Sequence, residues 1–122
     1  MRDDRQKLID ILEAARQAAK FAEDLSFDEF VESELHQNAI LHSIGIVGEA
    51  AARLSDVAKI KYSEIPWTEI VGIRNRIVHG YFDIDLMVVF TTVEQDIPKL
   101  ISKLEKILLQ PNPDSVDDDN VT

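Results

Sequence analysis

Cysteine is absent from this chain of 122 residues. That excludes a disulfide framework and every thiolate zinc site, and it fits a reducing compartment. Long apolar runs are absent too: none approaches the roughly 20 residues needed to cross a bilayer. The opening "MRDDRQKL" is charged throughout, so it does not read as a secretory signal. The expectation is a soluble, cytoplasmic protein with no membrane partner. Basic charge is scarce. Lys and Arg number 13 against 23 Asp and Glu, for a net charge of −10. Such a balance argues against broad, nonspecific nucleic-acid binding, which needs a basic footprint. The charge is uneven, however. The end, "PNPDSVDDDNVT", holds four Asp and no base, so the rest of the chain carries −6. A local basic site stays open; a large basic face does not.

What is present reads as helix after helix. The length suits one domain, and 45% hydrophobic residues supply a core. Leu8, Leu12, Ala15, Ala19 and Ala22 recur at helical steps, which predicts a helix from about Asp3 to Asp24. Asp3 and Asp4 suit its start. Ser26 and Glu29 have capping-box spacing and open a second helical region, running to about Ala58 with a break near Ser33. There Leu35, Ala39, Ser43, Ile46, Ala50 and Leu54 form one stripe, widened by Ile40, Ile44 and Val47. The small-residue run "GIVGEAA" predicts a tight helix crossing at Gly45 and Gly48. "SEIPW" marks another start, with Pro66 in the first turn and Gly80 as the stop after Val78 or His79. A last helix runs from a cap at Asp85 to Leu109, and Pro98 is expected to kink or split it. The prediction is an all-α, four- or five-helix up-down bundle over residues 1–110. Residues 111–122 read as an acidic, disordered tail.

Within this frame one stretch carries chemistry: "IRNRIVHGYF". Arginine is always charged and its fork matches phosphate oxygens. Histidine titrates near neutrality and moves protons either way. On a helix Arg74 and His79 sit about 140° apart, whereas Asn75 and His79 share a face. Arg74 and His79 reach one ligand if the last helical turn loosens, or if they meet across a two-fold axis. Both arrangements stay open. With RNA, a general base takes the 2′-hydroxyl proton and this oxygen attacks the adjacent phosphorus. A general acid protonates the leaving 5′-oxygen, and Arg stabilises the phosphoryl charge. That reaction needs no metal and no cofactor, and DNA lacks the nucleophile. By spacing alone, Arg-x4-His is a weak pattern. A surface arginine and a histidine at a helix end are the plainer reading.

The surroundings of the motif add to it. "RDDRQKLIDILEAA", "QNAILHSIGIVGEAAARLS" and "IPWTEIVGIRNRIVHGYFDIDLMVVFTTVEQDIPKL" together resemble the HepT-like family of HEPN-domain proteins. These are minimal toxins encoded beside a small nucleotidyltransferase antitoxin. The third stretch holds the family's Pro-Trp start, Gly-x-Arg-Asn, His-x-Tyr and later Asp-x-Pro. The resemblance implies a HEPN-type bundle forming a two-fold homodimer with both motifs in one cleft. It implies the toxin of a type VII toxin-antitoxin system, a metal-independent endoribonuclease whose pair is Arg74 and His79. Asn75 takes the polar position after the arginine, as an orienting residue. Tyr81 matches the tyrosine that the partner nucleotidyltransferase modifies with AMP. Arg76 stands where the family more often has an apolar residue; it is a lesser candidate for contacting RNA. An alternative is a non-catalytic HEPN subunit that presents nucleotide or substrate to a nucleotidyltransferase. The acidic balance favours the alternative, and the intact Arg-Asn-x3-His favours the nuclease.

Other polar residues have plainer readings. Glu32 and His36 are four apart, but two ligands do not make a metal site, so none is assigned. His36 and His42 are six apart and do not stack on one helical face. Glu49 is expected to pair with a base on another helix. Trp67 is expected in the core or an interface.

Overall fold

The computed structural model describes residues 2–77 and 83–110, without the Arg2 side chain. Three long helical stretches form its frame: α1 (Arg2–Phe21), α3 (Glu34–Ala52) and a C-terminal rod. Shorter helices join them: α2 (Phe27–Glu32), α4 (Asp56–Lys61), α5 (Trp67–Val71) and α6 (Ile73–Ile77). The rod consists of α7 (Leu86–Thr91), a π-helical turn (Thr92–Asp96) and α8 (Ile97–Leu109). The fold is all-α, as predicted. The acidic residues 111–122 lie outside the described residues, as does the expected stop at Gly80.

Local chemistry sets most helix starts. Ser26 Oγ accepts from Glu29 N–H at 3.1 Å, and Glu29 accepts from Ser26 N–H at 2.9 Å, closing the capping box. Those bonds from Ser26 hold the Glu29 carboxyl below its ordinary value. Ser33 breaks the chain in extended conformation and caps α3. Asp85 caps α7 through Val88 N–H at 3.1 Å. Pro98 falls where the expected helix divides: α7 ends at Thr91, the π-helical turn follows, and α8 begins at Ile97 with Pro98 in its first turn. Proline takes away the donor for the carbonyl four residues back and crowds it. The widened turn just before it absorbs the crowding, and Ile97 N–H reaches back five residues to Thr92.

Tertiary contacts overrule the pattern elsewhere. The second helical region ends at Ala52, because Arg53 to Ser55 turn there. The Asp4 carboxylate reaches across from α1 and accepts from Ser55 N–H at 3.0 Å and from Ser55 Oγ at 2.7 Å. Ser55 Oγ in turn accepts from Ala58 N–H and caps α4. Asp4 thus serves the start of α4 from within the first turn of α1. Burial pushes its carboxyl up, but the two Ser55 bonds and nearby positive charge, Lys7 included, outweigh this and hold it below its ordinary value. Gly72 breaks the other expected long helix into α5 and α6. A Cβ at Gly72 would lie 3.2 Å from the Thr68 carbonyl, closer than nearly all real contacts.

Two apolar clusters fill the interior. The larger joins α1, the second half of α3, α4, α5 and α8, and Trp67 is buried in it with its indole N–H on the Tyr62 carbonyl at 3.0 Å. The smaller gathers Ala18, Phe30, Ile40, Ile44, Ile73, Ile77, Val89 and Val93 beneath α6. On α3 the buried residues include Ser43 of the expected stripe and the Ile40, Ile44 and Val47 that widen it, together with Ala51, whereas Ile46 is only half-buried. Leu35 is 76% exposed. Burial is centred on the widening side of the expected face, where α1, α5 and α6 all pack on the helix. Gly48 makes the predicted close crossing: a Cβ there would meet Ile73 Cγ2 at 3.4 Å and the Ile70 carbonyl at 3.6 Å. Gly45 does not. Among the described residues, a Cβ there meets nothing within 4 Å.

Candidate functional site

Helix α6 carries "IRNRI". Ile73 and Ile77 are each 1% exposed and anchor it in the smaller cluster. That leaves Arg74, Asn75 and Arg76 on the surface, at steps of about 100° around the axis. The two arginines therefore point into different depressions. Arg74 lines an open groove of about 400 Å³ against α3, together with His42, Gly45, Glu49, Ile77 and Ile84. Arg76 lines a smaller pocket of about 190 Å³ against α5 and the rod, with Glu69, Asp96, Lys99 and Lys103. Asn75 is exposed between them and contributes to neither wall.

His79 and Tyr81 fall outside the described residues. The ends of their segment are described. Asp85 N–H donates to the Ile77 carbonyl at 2.8 Å, so the chain departs and returns at one point. Ile77 and Ile84 both line the Arg74 groove.

Helix α3 forms the opposite wall. His42, Gly45, Ile46 and Glu49 fall at i, i+3, i+4 and i+7, and all four line the groove. Neither Arg74 nor His42 makes a hydrogen bond or ion pair to another described residue. Glu49 pairs within its own helix, with Arg53 at 2.9 Å, rather than across helices. Both partners are about two-thirds exposed, so the pair adds little stability. His36 is occupied elsewhere: its Nδ1 lies 2.6 Å from Ser33 Oγ at the α3 cap. Sequence reasoning compared His42 only with His36 and missed its place opposite Arg74. The available signal was the polar spacing 42, 45, 49 flanking a glycine.

Chemically the groove offers a guanidinium for anionic oxygen, an imidazole for proton transfer, and open helix backbone at Gly45. No helix among the described residues is long and apolar enough to cross a membrane.

A family model described as "Ribonuclease HepT-like" matches residues 11–107. The chain is similar to "Putative RNase MJ1380" of Methanocaldococcus jannaschii, 34% identical over 104 residues, which covers 85% of this chain and 95% of the relative. It is also similar to "Probable ribonuclease HepT" of Thermococcus cleftensis, 35% identical over 100 residues, covering 82% of this chain and 91% of the relative. No solved structure matches.

Proposed function

The chain belongs to the HepT-like ribonuclease family of the HEPN superfamily, and from that premise we propose that it is the toxin of a type VII toxin-antitoxin pair. It acts as a metal-independent endoribonuclease and works as a two-fold homodimer. One observation carries this reading. Arg74 is an exposed guanidinium on the wall of an open groove, and Ile77 and Ile84, which flank the rest of the motif in sequence, line the same groove.

In this reading Arg74 binds the scissile phosphate and stabilises the charge that builds on its oxygens. His79 takes the 2′-hydroxyl proton, and the 2′-oxygen attacks phosphorus. Asn75 orients the ligand or the imidazole. The nucleophile is supplied by the substrate itself, so no metal-activated water is required. Arg76, in the other pocket, is set apart from the phosphate. Tyr81 is the regulatory position. AMP added there by a partner nucleotidyltransferase places bulk and negative charge two residues from His79, and repels the substrate phosphate.

The test is controlled expression of wild type and His79→Ala, with and without the nucleotidyltransferase, followed by RNA profiling. Wild type alone should arrest growth and cut RNA; His79→Ala should do neither. Purified wild type should cut RNA equally in excess chelator, and Tyr81→Phe should escape neutralisation. A harmless wild type that leaves RNA intact, or an equally toxic His79→Ala, overturns the nuclease. The net charge of −10 favours the alternative in that event: a non-catalytic subunit presenting nucleotide or substrate.

A further inference from the structure

The second depression beside α6 has no part in the phosphate chemistry above. We propose that it is a base-reading subsite: it holds a guanine of the RNA strand, a few nucleotides from the bond that is cut, and Asp96 reads that base. This rests on the nuclease reading above and adds a specificity-determining residue to it.

The pocket is built for a flat ring with polar edges. Its volume is about 190 Å³, and its floor is apolar, with Ile70, Ile97 and Leu100 buried beneath it. Single-stranded RNA is read in this way, by bases splayed from the strand, packed on side chains and hydrogen-bonded along their edges. Around the floor stand three bases, Arg76, Lys99 and Lys103, against two acids, Glu69 and Asp96. The chain as a whole runs the other way, with 13 bases against 23 acids. The pocket also lies on the path of the strand. Arg74 and Arg76 leave α6 about 200° apart, across a helix about 10 Å wide. An RNA strand covers that width in a few nucleotides.

Asp96 is the reader because no other described residue engages it. It closes the π-helical turn and stands at the cap position of α8, yet its side chain makes no cap bond. Its carboxylate is half-buried in the pocket wall, with no hydrogen bond or ion pair to another described residue. Lys103, by contrast, is held by the Glu64 carbonyl at 2.8 Å. Single π-helical turns of this kind recur at functional sites.

The charge pattern selects the base. Guanine presents two adjacent donors, N1–H and the N2 amine, beside the O6 acceptor. A carboxylate accepts from both donors, and a cation serves O6. Asp96 and Lys99 are three apart, on one face of the start of α8. Uracil flanks its one donor with carbonyl oxygens, which the carboxylate repels. Arg76, from the α6 side, takes a phosphate of the strand other than the scissile one.

Binding of uncleavable strands to the full chain tests this. The probes are 2′-O-methyl oligouridylates, which lack the nucleophilic hydroxyl, carrying one central guanosine, one central inosine or neither. Wild type should bind the guanosine strand about tenfold or more tighter than the uridine strand. Inosine, without the N2 amine, should lose most of that gain. Asp96→Asn sets an amide donor against the donors of guanine. It and Asp96→Ala should bind all three strands alike, with thermal melts near wild type. Arg74→Ala should weaken every strand by one factor and keep the guanosine preference. A wild type without that preference, or a preference that survives both Asp96 variants, overturns the subsite. So does guanosine monophosphate that displaces the guanosine strand as well as the unlabelled strand does, which makes the pocket a mononucleotide site. Cleavage of ordinary RNA judges the nuclease separately. A wild type that cuts RNA without the preference keeps the nuclease and loses the subsite. One that prefers the guanosine strand and cuts no RNA keeps the pocket and loses the nuclease.

Discussion

The two sides of α6 carry the same kind of charge and face different surroundings. On one side Arg74 shares an open groove with the His42 imidazole and Gly45 of α3. On the other Arg76 shares a smaller pocket with two acids, Glu69 and Asp96, and two bases, Lys99 and Lys103. A cation among mixed charges is already partly compensated. A cation in a groove without an ion pair attracts an anion from outside. Two arginines separated by one residue thus take up different work, and a five-residue helix pinned by Ile73 and Ile77 makes the separation.

The largest effect expected from breaking this contrast is on cleavage. Arg74→Ala should lower the rate roughly 10²- to 10³-fold, the range for losing one preorganised donor at a charged transition state. Arg76→Ala should change it only a few-fold. Rates on one RNA oligonucleotide check both, and equal losses would erase the distinction between the two sides.

A change remote from both sides should touch stability alone. Asp4→Ala removes both acceptors from Ser55 and should cost about 2–3 kcal/mol at neutral pH, with the cleavage rate of the folded protein unchanged. The folded carboxyl lies below its ordinary value, so its contribution is present above about pH 4 and fades as the pH falls through the folded value. Urea melts of wild type and variant should therefore differ at pH 7 and draw together as the pH falls below the ordinary carboxylate range.

The smallest effect separates the two glycines of α3. Gly45→Ala should stabilise by up to about 1 kcal/mol, because its Cβ enters open space. Gly48→Ala should gain less, because its Cβ presses on Ile73. Thermal melts read the difference.

Much of the fold was legible from local chemistry. The capping box at Ser26 and Glu29, the break at Ser33 and the cap at Asp85 rest on bonds spanning three residues, so local sequence suffices. The apolar period of α8 was legible for the same reason: Ile97, Leu100, Leu104 and Ile107 are all buried. The buried face of α3 was legible in part: Ile40, Ser43, Ile44 and Val47 are buried, but Leu35 is exposed, because α1, α2, α5 and α6 all pack on that helix and periodicity does not say which face each one takes. The turn at Arg53–Ser55 was missed because its partner, Asp4, is 51 residues away. In the site, Arg74 was legible from its motif. His42 was not, since only the packing of α6 on α3 brings residues 42 and 74 to one groove.

By itself, the sequence determined an all-α chain, most of its helix starts and a candidate Arg-x4-His motif, because caps, periodicity and motif spacing act within a few residues. Only the tertiary structure decided which arginine of "RNR" opens toward α3, that Asp4 holds the capping serine of a helix other than its own, and that His42 lines the same groove as Arg74. Each depends on groups brought together from distant parts of the chain, and only packing sets those distances.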